Sequence, residues 1–122
     1  MARILIAEDD PSMREFLARA LARAGHEVTA TSDGEAALAA LDRAGTAAFD
    51  LLIADIVLPG LDGIELARLA AEMCPGLRVI FITGFAAVAL ARGQPRATTT
   101  RMLSKPFHLR ELVDRVRRVL AA

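Results

Sequence analysis

The run Leu51-Leu52-Ile53 sets three large apolar side chains on consecutive residues. A strand turns successive side chains to opposite faces, so a run without alternation must be buried on both of them. That is the signature of a central strand in a parallel sheet with helices on each face. The rest of the chain follows the same plan. Strands are predicted over 3–7, 27–30, 49–55, 78–83 and 99–103. A helical stripe follows each one.

The helix boundaries are also legible. Asp10-Pro11 supplies an N-cap and a proline at the first helical position, where a missing N–H costs nothing. Met13, Phe16, Leu17, Ala20, Leu21 and Ala24 then form one apolar stripe, and Gly25 closes the helix. Ser32-Asp33-Gly34 opens a second helix running to about 43, which Gly45 breaks. A third spans 64–73 and stops at Pro75-Gly76. An apolar helix is predicted over 86–92. The last carries the stripe Leu109, Leu112, Val113, Val116, Val119 and Leu120. Strand and helix alternating five times predict an α/β fold, a doubly wound parallel sheet of the flavodoxin-like kind with strand order 2-1-3-4-5.

Bulk composition narrows the function classes. The 122 residues suit one domain, 1–122. Fifteen cations balance fifteen anions, which argues against binding nucleic acid or a membrane through bulk charge. The single cysteine, Cys74, forms no internal disulfide and reads as a small apolar filler at a helix end. The absence of a signal peptide and of an apolar run of membrane-spanning length predicts a cytoplasmic protein.

In a doubly wound sheet, ligands gather at the carboxyl ends of the strands. Glu8, Asp9 and Asp10 lie just past the first predicted strand, Asp55 ends the third, Thr83 ends the fourth, and Lys105 lies just past the fifth. In the order 2-1-3-4-5 these positions converge on one cleft. Lys105 is also the only lysine among fifteen basic residues. A compact ammonium and a planar guanidinium are not interchangeable at a tight anion site. Clustered carboxylates repel and call for a cation, and an all-oxygen donor set suits Mg²⁺. A carboxylate held beside Mg²⁺ can accept a phosphoryl group, whose three equatorial oxygens then need neutralising. Lys105 and the Thr83 hydroxyl are placed to share that task with the metal. His26 and His108 read as surface or helix-start residues. Arg110, Arg115, Arg117 and Arg118, offset by Glu111 and Asp114, read as a solvated helix face.

Ile4-Leu5-Ile6-Ala7-Glu8-Asp9-Asp10, Asp55 with Pro59-Gly60-Leu61-Asp62-Gly63, Thr83-Gly84 and Lys105-Pro106-Phe107 together resemble the receiver domain of two-component response regulators. The likeness covers the whole chain. It implies Asp55 as phosphoacceptor, Asp9 as direct Mg²⁺ ligand, and Glu8 acting largely through water. It further implies that Val57 offers its backbone carbonyl to the metal, that Thr83 is the switch hydroxyl, and that Lys105 is the phosphate partner, followed by a cis proline. The family's usual switch aromatic is replaced by Met102. Such a domain is no enzyme beyond its own phosphoryl transfer and dephosphorylation, and its partners are a histidine kinase or a histidine phosphotransfer protein.

The stretches 81–90 and 103–109 resemble more narrowly the CpdR group of stand-alone receivers in the alphaproteobacterial cell-cycle phosphorelay. That likeness implies an adaptor for proteolysis by ClpXP, active when unphosphorylated. Output would pass through protein contacts, with 85–90 as the surface, and the ending Leu120-Ala121-Ala122 looks like a tail read by the same protease. Two alternatives stand beside it: a phosphorelay intermediate or phosphate sink with no output of its own, and the receiver part of a larger DNA-binding regulator. A Mg²⁺-dependent phosphatase would want a second aspartate where Val57 stands.

Overall fold

The computed structural model describes residues 1–84 and 102–121. The strands are β1 (Arg3–Ala7), β2 (Glu27–Thr31), β3 (Leu51–Asp55), β4 (Arg78–Thr83) and β5 (Met102–Ser104). The helices among the described residues are α1 (Pro11–Arg23), α2 (Gly34–Ala44), α3 (Gly63–Met73) and α4 (Leu109–Ala121). The strands form one sheet in the order β2-β1-β3-β4-β5, and every pairing is parallel. This is the predicted doubly wound topology. The helix expected over 86–92, the apolar surface at 85–90, the start of the last strand at 99–101, and Ala122 of the tail all lie outside the described residues. So does the Thr83 side chain.

All five residues of β3 are buried. Leu51 and Ile53 pack with Ile4, Ile6, Ile80 and Ile82 beneath α1 and α4, where Leu17, Leu21, Leu112 and Val116 meet them. Leu52 and Ala54 pack with Leu5 and Ala7 on the other face, against Ala37 and Leu41 of α2 and Leu66 and Ala70 of α3. The run Leu51-Leu52-Ile53 is thus split residue by residue between two cores. Each fully buried Leu or Ile contributes about 1.5–3 kcal/mol relative to leaving it exposed.

Some boundaries move. β3 runs from Leu51 rather than 49, although the Asp50 backbone still bonds both neighbours: its N–H donates to the Arg3 carbonyl at 2.8 Å, its carbonyl accepts the Arg78 N–H at 3.2 Å, and its Oδ2 accepts the Arg3 N–H at 2.8 Å. Among the described residues β5 covers Met102–Ser104, ending one residue beyond the predicted 103. Phe16 departs from the core stripe of α1: it is 38% exposed and lies 6.2 Å from the Phe107 ring, at the rim where α1 meets the segment after β5. Leu109 is likewise exposed at the start of α4. Cys74 is buried and caps α3 at its C-terminus.

The loops at the carboxyl edge are held by local chemistry. Asp10 caps α1, its Oδ2 accepting the Met13 N–H. Asp33 caps α2 and Asp62 caps α3 in the same way. Gly63 packs directly on the end of β3. A Cβ there would lie 2.1 Å from the Asp55 carbonyl oxygen, and the Gly63 N–H donates to the Ile56 carbonyl at 2.9 Å. Only glycine lets α3 start this close to the strand.

Candidate functional site

Four of the residues singled out in the sequence meet at the carboxyl ends of β1, β3 and β5. β3 ends at Asp55, whose Cα pairs in register with Ile82 of β4. β1 delivers Glu8 just past its last residue, and the Glu8 N–H donates to the Thr31 carbonyl, extending the ladder by one bond. Lys105 follows β5. Its Nζ lies 2.9 Å from Asp55 Oδ2 and 3.2 Å from Glu8 Oε1. The Lys105-Pro106 peptide is cis, as the resemblance implies.

The two acids contacting Lys105 are both buried, Glu8 to 1% exposure and Asp55 to 7%. Each of their oxygens has a partner. Glu8 Oε2 accepts the Asp10 N–H at 3.1 Å, and Asp55 Oδ1 accepts the Val57 N–H at 3.0 Å. Asp9 is exposed, yet Glu8, Asp9 and Asp55 each offer a carboxylate oxygen within 4.8 Å of the others. Burial pushes the Glu8 carboxyl above its ordinary range. The Asp10 N–H and Lys105 pull it back, and the charge of Asp55 adds to the rise. For Lys105, burial alone acts downward, but its hydrogen bond and charge interaction with Asp55, joined by Glu8, outweigh it and hold the ammonium above its ordinary value. The ammonium is therefore firmly charged at neutral pH.

The donor set fits Mg²⁺. Three carboxylates against one ammonium leave excess negative charge in a site too buried to tolerate it cheaply. Glu8 and Asp55 both meet protein donors with each oxygen, whereas Asp9 is open to solvent. A small hard cation that keeps several waters matches that arrangement. Glu8, Asp9 and Asp55 are the residues that would hold it.

Thr83 ends β4, with its Cα in register with Ser104 of β5. Val57 is 61% exposed, and it meets Asp55 through its peptide N–H. Met102 is half-buried against the small cluster around Ile56 and Phe81.

Sequence reasoning missed three supporting contacts. Arg14 of α1 donates from Nη1 to the Glu8 carbonyl at 3.0 Å. Glu35 of α2 accepts the Leu61 N–H at Oε1, 3.1 Å. Arg115 donates to the Met102 carbonyl and is half-buried, so it does not belong to a solvated face. Each is a side chain meeting a backbone group, and backbone groups carry no sequence signal. His26 is also corrected: it is half-buried, and its Nδ1 accepts the Ala2 N–H at 3.1 Å. His108 does stand at a helix start, its N–H donating to Glu111 Oε1 at 3.1 Å.

The sequence matches the response regulator receiver domain over residues 4–117. This chain belongs to that family. The receiver is 50% identical to the response regulator receiver protein CpdR of Brucella abortus (strain 2308) over 122 residues, covering all of this chain and 99% of that protein. It is 40% identical to the response regulator protein FleR of Pseudomonas aeruginosa over 117 residues, 96% of this chain but 24% of FleR. The crystal structure of a response regulator receiver protein from Sinorhizobium medicae WSM419 superposes with a TM-score of 0.86 at 32% identity, covering 99% of this chain and 95% of that one. Membership places the chain in two-component signalling, and the family implies dealings with histidine kinases or phosphotransfer proteins. Among the described residues no helix is long and apolar enough to cross a membrane.

Proposed function

We propose that this receiver is a phosphorylation-switched protein-binding module in which Asp55 accepts the phosphoryl group. One observation carries the reading: the only lysine of the chain, brought from 50 residues away, lies 2.9 Å from a buried Asp55 carboxylate. An Asp55 oxygen attacks the phosphorus of a phosphohistidine. The P–N bond breaks, its electron pair leaves with the imidazole nitrogen, and an acyl phosphate forms. Lys105 then exchanges a carboxylate oxygen for a phosphoryl oxygen, a contact a point charge makes without a fixed angle. Asp9 and Asp55, with Glu8 behind them and the Val57 carbonyl beside them, would hold Mg²⁺, which would supply positive charge to the phosphoryl oxygens. Thr83, ending the neighbouring strand, takes the role of switch hydroxyl. Beyond this self-phosphorylation and its reversal the protein is no enzyme.

The new charge biases the β4–β5 side of the sheet between two arrangements. The output is a protein contact. Similarity to CpdR over the full length of that protein supports a CpdR-like adaptor that delivers substrates to the ClpXP protease when unphosphorylated, in the cytoplasm, within a cell-cycle phosphorelay. Recovery of protease components on the immobilised unphosphorylated protein, reduced after treatment with a small acyl-phosphate donor, is the expected result. Recovery of phosphotransfer proteins alone would favour a phosphate sink.

A further inference from the structure

The loop after β3 is pinned at two places, and one of them depends on a side chain outside the carboxylate cluster. At its far end, Gly63 abuts the Asp55 and Ile56 backbone. In its middle, Leu61 is held by the first turn of α2. Gly34 lies so close that a Cβ there would come within 2.6 Å of the Leu61 carbonyl oxygen, and Glu35 Oε1 accepts the Leu61 N–H at 3.1 Å. The same carboxylate lies over Gly60. That residue has a φ of 72°, and a Cβ on it would lie 2.8 Å from Glu35 Oε1. Gly60 is required for its left-handed backbone, and a Cβ there would also press on the movable tip of the Glu35 carboxylate.

Between Asp55 and this clamp runs the short segment that carries Val57, whose N–H holds Asp55 Oδ1. With Asp55 fixed in a buried strand and Leu61 fixed to α2, that segment has little freedom left. We infer that Glu35 is a positioning residue for the phosphoacceptor site: by holding the 59–61 turn against α2 it sets the Val57 peptide beside Asp55. Glu35 acts as a hydrogen-bond acceptor, not through its charge. This rests on the reading of Asp55, Asp9 and Val57 as the metal-holding, phosphoryl-accepting set.

The acceptor and charge roles separate cleanly by substitution. Glu35→Gln keeps an oxygen for the Leu61 N–H and loses the charge, whereas Glu35→Ala loses both. Glu35 is exposed, so both variants retain the fold. Calorimetric titration with Mg²⁺, in parallel with amide hydrogen exchange at Leu61 and Val57, is the test. Glu35→Ala is expected to weaken Mg²⁺ binding by up to about tenfold, the least that loss of a group bonded directly to a metal ligand costs, because Glu35 acts on the ligands through the turn. It should also speed exchange at both amides while leaving exchange in β1 unchanged. Glu35→Gln should stay within about twofold of the wild type on the same scale. Wild-type affinity in Glu35→Ala, with Mg²⁺ still binding and Asp55 still labelled, overturns the inference alone. An equal loss in Glu35→Gln overturns the acceptor role in favour of charge. A wild-type protein that neither binds Mg²⁺ nor labels on Asp55 overturns the underlying reading, and the inference with it.

Discussion

Lys105 bridges two buried acids, and its chemistry is the narrowest constraint at the scale of single residues. A guanidinium would bring charge but also a planar fork of fixed geometry, into a gap where one nitrogen already meets Asp55 at 2.9 Å and Glu8 at 3.2 Å. Lys105→Arg should therefore accept phosphate at Asp55 yet respond to it weakly, seen as a smaller phosphorylation-dependent change in partner retention. Full coupling in that variant would remove the reason for the lone lysine. His26 makes a second prediction, unrelated to signalling. Burial, with the nearby N-terminal amine adding to it, pushes its pKa below the ordinary 6.5, and its Nδ1 must stay unprotonated to accept the Ala2 N–H. Arg117 lines the same hollow, adding no acid that would favour the imidazolium. A depressed folded pKa means a contribution that is full above the unfolded pKa and lost as pH falls through the folded value. The wild-type Tm should then drop more steeply than that of His26→Gln as pH is lowered from about 7 to about 5. Parallel curves would show that this hydrogen bond contributes nothing. The residue types at the cleft were legible because each ends a predicted strand. The Arg14, Glu35 and His26 contacts were not, because their partners are peptide groups of distant segments.

The elements themselves were read from burial and caps. The unalternating run of β3 announced a two-faced strand, and Asp10, Asp33 and Gly25 or Gly45 marked helix ends where the structure has them. The errors fall at a strand end, as at Asp50, which precedes β3 while its backbone still bonds Arg3 and Arg78, or where an apolar residue sits at a rim, as at Phe16. The tightest junction is between β3 and α3. Gly63→Ala would drive a methyl into the Asp55 carbonyl oxygen. Backbone rather than a flexible side chain is in the way, so the expected cost is about 2 kcal/mol or more, together with reduced labelling at Asp55 as the strand end shifts. Gly76→Ala is the control. Nothing lies within 4 Å of a Cβ there, and its stability should stay within about 0.5 kcal/mol of the wild type. Thermal unfolding of the two variants side by side decides whether the junction is as tight as its geometry.

For the whole molecule, the sheet order does the assembling. Because β1, β3, β4 and β5 are neighbours, residues separated by up to 97 positions meet at one edge, and the helices that bury both faces leave that edge as the place where chemistry can occur. The topology followed from the sequence because strand–helix alternation with short connections admits few arrangements. The response that phosphorylation produces did not, because a switch is a difference between two states and one sequence reading describes neither. The account stands on Asp55 as the acceptor. Treating the protein with acetyl phosphate, with and without Mg²⁺, and mapping the phosphoryl group by mass spectrometry after borohydride trapping tests this directly. The expected outcome is a single Mg²⁺-dependent modification at Asp55 that disappears in Asp55→Asn. Labelling that persists in that variant, or that proceeds equally well without Mg²⁺, would contradict it.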